Sequence, residues 1–146
     1  MVYLDASVVF SLYVSDSNTV EASHLVTSAT ETLLISALCE METINAFALR
    51  IFRREMTAGN MDIALRDLDS DLRAGFLQSI SFPESAFIRA KTLSKKITPT
   101  VGVRGADLLH IAAALELGAK YLYTFDLRQH QAAQAVGLKV NQLPNP

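Results

Sequence analysis

Four acidic residues, Asp5, Glu42, Asp107 and Asp126, occupy positions from which they could share one site. Asp5 directly follows the apolar run 2–4, and Asp126 comes three residues after the apolar run 121–123. Glu42 and Asp107 lie in stretches with a helical pattern, on faces that are otherwise mostly apolar or small. Because buried carboxylates repel one another, such a set is costly unless its members are paired or bind a metal.

Oxygen donors of this kind are the ligands that Mg²⁺ and Mn²⁺ prefer, and a chain with one cysteine and three histidines offers little for a zinc site. Two such ions, about 3.5–4 Å apart, can activate a water and stabilise the leaving oxygen of a phosphodiester. The residues therefore indicate metal-dependent phosphoryl chemistry. Each acid alone also has an ordinary explanation: a turn residue or cap for Asp5, a favourable helix dipole for Asp107, a partly exposed charge for Glu42.

Short apolar strands alternate with helices along the chain, which predicts an α/β domain with a mostly parallel sheet. Strands are predicted at 2–4, 33–35, 76–80, 121–123 and 138–140. Helices are predicted at about 6–14, 18–29, 37–56, 61–74, 81–97, 106–117 and 127–136. The glycines and proline of residues 98–105 indicate a loop, and two prolines exclude a strand in the tail 142–146. Ligands of such sheets bind outside the carboxyl ends of the strands, where Asp5 and Asp126 are expected.

The composition narrows the class of protein. A chain of 146 residues fits one domain, residues 1–146. Its composition, with 50% hydrophobic and 19% charged residues, excludes a disordered chain. A lone cysteine, Cys39, excludes an internal disulfide framework and suits a reducing cytoplasm. No apolar run approaches the ~20 residues that span a bilayer, so no membrane association is expected.

The net charge of −2 conceals an uneven distribution. Residues 1–49 contain six acids and no Lys or Arg, whereas the rest of the chain contains nine acids and thirteen bases. An N-terminus without a base cannot supply the positive region of a secretory signal. The whole-chain charge gives no reason to expect a general DNA-coating protein, but it leaves room for a local acidic cluster that binds cations.

Four motifs, in order, resemble those of the PIN-domain nucleases. They are Asp5-Ala6-Ser7, Glu42 followed by Asn45-Ala46, Asp107-Leu108-Leu109-His110-Ile111-Ala112, and Thr124-Phe125-Asp126. The order and spacing match over essentially the whole chain. Single-domain members of this size are commonly VapC-type toxins, the ribonuclease half of a toxin–antitoxin pair. The resemblance implies a central, five-stranded parallel sheet flanked by helices, and endonucleolytic cleavage of RNA that depends on Mg²⁺ or Mn²⁺.

The resemblance also implies roles for particular residues. The family's acidic, metal-binding positions are matched by Asp5, Glu42, Asp107 and Asp126. Thr124 falls on a hydroxyl position that supports the site. Ser7 falls on a small polar position that we expect to contact substrate. Glu40 is a rival for Glu42, but the spacing to Asn45-Ala46 favours Glu42. Homodimers are common in the family, as is inhibition by an antitoxin segment laid across the active-site groove.

Two basic residues, one just before the third motif and one within it, have alternative interpretations. Arg104 lies three residues before Asp107 in a stretch with two glycines, and we predict that it contacts the RNA substrate. His110 has the chemistry of a metal ligand or a general acid, but on a packed helix it is more typical of a structural histidine that orients a neighbour.

Two other functions are alternatives to the nuclease. An acidic-site phosphatase or phosphoacceptor domain would use Asp5 to form an aspartyl-phosphate, but haloacid-dehalogenase-type phosphatases normally have Asp-x-Asp, and here Ala6-Ser7 follows Asp5. A catalytically silent PIN-like module would bind RNA or protein without turnover. The acids present at all four positions argue against it.

Overall fold

The computed structural model of the protein describes residues 1–143 and contains five strands and seven helices in that range. The strands are β1 Val2–Leu4, β2 Leu33–Ser36, β3 Gln78–Ile80, β4 Tyr121–Tyr123 and β5 Lys139–Val140. The helices are α1 Ala6–Tyr13, α2 Thr19–Ser28, α3 Ala37–Phe52, α4 Ala58–Arg73, α5 Ser85–Val101, α6 Gly105–Glu116 and α7 Leu127–Ala135. The end of the tail predicted to lie outside the sheet, residues 144–146, is outside the described residues.

All strand pairs are parallel, and the order across the sheet is β3-β2-β1-β4-β5. The predicted α/β class with a five-stranded parallel sheet is therefore confirmed. The chain moves outward from β1 through β2 to β3 and then returns to the other side of β1 for β4 and β5. This reversal puts a crevice at the carboxyl ends of β1 and β4, where the ligands of open α/β sheets bind.

The central strand β1 is buried on both faces, as its continuous apolar run predicts. Val2 and Leu4 pack with residues of α1, α2 and α4, and Tyr3 packs on the opposite face with residues of α5, α6 and α7. The alternation follows from the period of two in a strand. A third cluster joins α1, α3 and α4 through Phe10, Phe47 and Ala64.

Four predicted boundaries are wrong by two to four residues, one of them the start of α5, which lies at Ser85 rather than 81. α3 ends at Phe52 rather than near 56, because Arg54 adopts a left-handed conformation (φ 60°) that stops the helix. α4 begins at Ala58 and includes Gly59-Asn60, because the Thr57 side chain accepts a hydrogen bond from the backbone N–H of Asn60 at 3.1 Å and caps the first turn. β3 begins at Gln78 rather than 76.

The predicted loop 98–105 is also wrong for its first half, since α5 continues through Pro99 to Val101. Pro99 removes only one backbone hydrogen bond near the end of the helix. Ile97 and Val101 still pack into the core that α5 shares with α6. The helix then ends at Gly102, whose left-handed conformation (φ 69°) lets its N–H bond to the Thr98 carbonyl. Among the described residues, no helix is long and apolar enough to cross a membrane.

Candidate active site

Asp5 lies at the centre of the carboxyl edge of the sheet, as the N-cap of α1. The carboxylate oxygen Oδ2 accepts hydrogen bonds from the Ser7 backbone N–H at 3.1 Å and from Ser7 Oγ at 2.6 Å, and Thr124 Oγ1 lies 3.2 Å from the same oxygen. Ser7 Oγ also accepts from the Phe125 backbone N–H at 3.0 Å. The hydroxyl of Ser7 is thus engaged in joining the end of β1 to the loop after β4. With 6% exposure, Asp5 is almost fully buried.

Glu42 reaches Asp5 from α3 through a histidine. Glu42 Oε2 lies 2.5 Å from His110 Nε2, and the same nitrogen is 3.6 Å from Asp5 Oδ1. Burial alone would lower the pKa of His110, but its hydrogen bond to Glu42 and the charges of Asp5 and Glu42 outweigh that and raise the pKa above the usual value. Glu40, the rival candidate, instead accepts a hydrogen bond from Ser79 at the edge of the sheet.

Asp107 and Asp126 form the other half of the site, with Arg104 between them. Arg104 Nε is 3.3 Å from Asp107 Oδ2, and its terminal nitrogen is 3.5 Å from Asp126 Oδ2. Burial, followed by the nearby charge of Asp126, raises the pKa of Asp107, and the Arg104 guanidinium partly opposes the shift. Asp126 also caps α7 by accepting from the Gln129 backbone N–H at 2.9 Å. We call these four acids the carboxylate cluster: Asp5, Glu42, Asp107 and Asp126.

Gln129 connects the two halves, and the sequence contains no signal that could have identified it. Its side chain is fully buried. The carbonyl Oε1 lies 2.5 Å from Thr124 Oγ1, while Nε2 donates to Asp5 Oδ1 at 3.4 Å and to the Asp107 carbonyl at 3.5 Å. Thr124 is likewise fully buried, and its backbone N–H donates to Asn141 Oδ1 at 2.9 Å. These contacts hold Asp5 in one orientation.

The donors fit a hard divalent cation. Asp5, Glu42 and His110 each offer a ligand atom, and these atoms lie within 4.8 Å of one another. Two carboxylates at such spacing suit Mg²⁺ or Mn²⁺. Asp107 and Asp126 are outside this compact group and contact Arg104 instead. Of the predicted ligands, the structure therefore brings Asp5 and Glu42 into one compact group with His110.

The fold and the site define an α/β domain whose carboxylates gather at the carboxyl edge of a parallel sheet. The family model of the PIN domain matches residues 2–135, so the chain belongs to the PIN domain family. This confirms the resemblance inferred from the four acidic motifs. A search of curated protein sequences found no match.

Several solved structures share the fold at low sequence identity. FitAcB from Neisseria gonorrhoeae is 20% identical with a TM-score of 0.70, and the match covers 97% of each chain. VapC20 from Mycobacterium tuberculosis, a toxin that cleaves the sarcin-ricin loop, is 14% identical with a TM-score of 0.65, covering 92% of this chain and 95% of that one. A toxin-antitoxin complex from Klebsiella pneumoniae is 14% identical with a TM-score of 0.64 and 97% coverage of both chains.

Proposed function

We propose that this protein is a divalent-metal-dependent endoribonuclease and the toxin of a type II toxin–antitoxin pair. The observation that carries the proposal is the convergence of Asp5 and Glu42 beneath the carboxyl ends of β1 and β2, with Asp107 and Asp126 beside them, in a PIN domain. Carboxylates this close together repel one another, and a bound divalent cation would offset that repulsion. The structural similarity to a toxin that cleaves the sarcin-ricin loop supports RNA as the substrate.

In this proposal the carboxylate cluster holds Mg²⁺ or Mn²⁺. The ion would lower the pKa of a water for attack on the phosphodiester and stabilise the leaving oxygen. The chain's own residues orient the ligands. Ser7 and Thr124 direct hydrogen-bonding groups at Asp5 Oδ2, and Gln129 directs its amide at Oδ1. Because Thr124 and Gln129 are fully buried and the Ser7 hydroxyl is hydrogen-bonded to both Asp5 and Phe125, the ligands need little rearrangement before reaction.

The direct test is cleavage of a panel of structured RNAs, with matched single-stranded DNA, in Mg²⁺, in Mn²⁺ and in excess EDTA. We expect cleavage of RNA with either metal, no cleavage in EDTA, and recovery when metal is added back. Undiminished cleavage in EDTA would contradict the mechanism. Tight RNA binding without cleavage in either metal would indicate the silent binding module, and a phosphate trapped on Asp5 would indicate the phosphoacceptor.

Arg104 is suited to contact the RNA backbone. Its side chain is 72% exposed, and its contacts to Asp107 and Asp126 are long, so they hold the guanidinium weakly. We expect Arg104→Gln to weaken RNA binding and to reduce the salt dependence, d log K/d log[salt], by about 0.7, the contribution of one single-strand phosphate contact. Titrations of labelled RNA in EDTA at several salt concentrations would measure this slope.

Arg73→Gln is the matched control for Arg104. Arg73 is also exposed and paired with an aspartate, Asp69, but it ends α4 just before β3 begins, which puts it toward the opposite edge of the sheet. The Arg73→Gln variant should keep the wild-type salt dependence of RNA binding. Equal slopes in wild type and Arg104→Gln would exclude a phosphate contact by Arg104.

The partner proteins are proposed on the same basis. The Klebsiella pneumoniae neighbour is a toxin-antitoxin complex, which supports a cognate antitoxin for this chain. A homodimer and a cytoplasmic location belong to the same proposal and follow from the family resemblance. Coexpression with any small reading frame found next to the gene, followed by copurification and a cleavage assay, would test for an antitoxin.

A further inference from the structure

A chain of buried polar side chains lies directly behind Glu42. Tyr3 Oη is 2.6 Å from Ser36 Oγ and 2.9 Å from His110 Nδ1, and His110 Nε2 is 2.5 Å from Glu42 Oε2. Ser36, Tyr3 and His110 are all fully buried. We call these three residues the buried relay. It crosses from the end of β2 through the middle of β1 to α6. His110 Nε2 joins it to the site by the hydrogen bond to Glu42, and the same nitrogen lies 3.6 Å from Asp5 Oδ1.

A hydroxyl and an imidazole in this position need an explanation. Tyr3 lies in the hydrophobic cluster that contains Leu122 and Ile111, where a phenylalanine would pack without any hydrogen-bond requirement. Burying polar groups is costly unless they are bonded, and the relay satisfies its members only as a complete set. Its hydrogen bond to the carboxylate cluster is the one to Glu42, and at its other end Ser36 Oγ accepts from the Cys39 backbone N–H at 3.3 Å.

The position of the Glu42 carboxylate depends on its one hydrogen bond to His110, whereas the position of the Asp5 carboxylate depends on several partners. Asp5 is held by Ser7, Thr124 and Gln129, and its side chain is 9% exposed. The Glu42 side chain is 30% exposed, and His110 is its one hydrogen-bonding partner among residues 1–143. Without His110, a long and flexible glutamate side chain would be free to turn toward solvent.

The proton positions along the relay are determined by its end. A carboxylate only accepts, so His110 must donate to Glu42 from Nε2. In the neutral ring Nδ1 then accepts from the Tyr3 hydroxyl, whose oxygen accepts from Ser36. In the charged ring Nδ1 donates to Tyr3, and the Tyr3 hydroxyl turns to Ser36. Tyr3 thus supports an Nε2 proton directed at Glu42 in either state of the ring.

We propose that His110 and Tyr3 are positioning residues that hold the Glu42 carboxylate beside Asp5. Tyr3 sets the orientation of the imidazole through Nδ1, and His110 sets the location of the Glu42 carboxylate through Nε2. The part of this inference that concerns cation binding rests on the proposed function. The part that concerns the relay itself holds in the metal-free protein.

The first measurement uses Mn²⁺ alone, without RNA, and follows the signal of free Mn²⁺ by electron paramagnetic resonance. We expect Tyr3→Phe to weaken Mn²⁺ binding about 10-fold, within the ~10–100-fold range seen when an outer partner of a ligand is removed. His110→Leu should weaken it further, and His110→Gln should recover part of the loss, because a glutamine amide can still donate to Glu42.

Tyr13→Phe is the matched control. Its hydroxyl also donates to a carboxylate, that of Asp71 at 2.8 Å, but on α4 and away from the carboxylate cluster. The Tyr13→Phe variant should bind Mn²⁺ with the wild-type affinity. Wild-type affinity in Tyr3→Phe would overturn the proposal. Nitrogen coupling in the spin-echo spectrum of bound Mn²⁺ that disappears in His110→Gln would also overturn it, since His110 would then be a direct ligand.

The second measurement needs no metal. Two-bond ¹H–¹⁵N spectra of the metal-free wild type should show His110 with a protonated Nε2, and Tyr3→Phe should shift the Nδ1 resonance, because Nδ1 loses its hydrogen bond with the Tyr3 hydroxyl. An unchanged Nδ1 resonance in Tyr3→Phe would overturn the role of Tyr3. If the wild type shows the fixed proton but binds no Mn²⁺, the proposed function fails while the buried relay is upheld.

Discussion

Asp5→Asn should abolish RNA cleavage while the fold survives. Asp5 is the central buried member of the carboxylate cluster, and the substitution removes its charge from the cation site. Asparagine remains a good N-cap, so α1 should still begin at the same residue. We expect the single-turnover rate on a cleaved RNA to fall at least ~100-fold, beyond the typical effect of losing an outer partner. Circular dichroism and a thermal melt would establish that the variant is folded.

Asp16→Asn is the matched control for this loss of activity. Asp16 also lies in the stretch without Lys or Arg, and its carboxylate also accepts from a backbone N–H, that of Asn18, and from a serine hydroxyl, that of Ser11. It is not part of the carboxylate cluster. The Asp16→Asn variant should cleave RNA at close to the wild-type rate. A wild-type rate in Asp5→Asn would rule out the proposed mechanism.

Gln129→Glu should destabilise the metal-free protein more than any other single change that preserves side-chain shape at the site. The substitution puts a carboxylate in a fully buried position, where the Gln129 amide now lies 3.4 Å from Asp5 Oδ1. An uncompensated buried charge costs about 3–5 kcal/mol. Urea unfolding at pH 8 should show a decrease of that size in the free energy of unfolding.

The loss should depend on pH in a definite direction. Burial and Asp5 raise the pKa of the new glutamate in the folded state above its unfolded value of about 4.3, so the folded state binds the extra proton more tightly. The penalty therefore grows as pH rises from about 4.3 and shrinks on acidification. At pH 5 the variant should be much closer to wild type, because the protonated glutamate can donate to Asp5.

Gln131→Glu serves as the control, since Gln131 lies on the same helix but is exposed. It should have the wild-type free energy of unfolding at both pH values. A Gln129→Glu variant as stable as wild type at pH 8 would mean that Gln129 does not lie against Asp5 in solution.

Charged side chains that are far apart in the sequence lie next to one another at the site. No base lies close in sequence to Asp5 or Glu42, yet His110 contacts Glu42 and lies near Asp5. On the other side, Arg104 lies between Asp107 and Asp126. Each pair of acids therefore has one nitrogen-bearing side chain beside it. These side chains reduce the repulsion among the four carboxylates at this edge of the sheet.

The sequence by itself determined the order of elements and the placement of acids at the ends of strands. Short apolar runs and the residues that stop them are local signals, so β1, β2 and β4 and the residue that follows each could be located before any fold was known. The helix through Pro99 was missed for a reason that is not local. Packing of Ile97 and Val101 against the core outweighs the single hydrogen bond that Pro99 removes.

Only the tertiary structure decided which side chains support the acids. Glu42 and His110 are 68 residues apart, Tyr3 and His110 are 107 apart, and Gln129 and Asp5 are 124 apart. Nothing in the pattern around Tyr3 or Gln129 distinguishes a core residue from one that holds a carboxylate. The distinction depends on burial and on the direction of a hydroxyl or an amide, and both arise only when β1, α6 and α7 pack together.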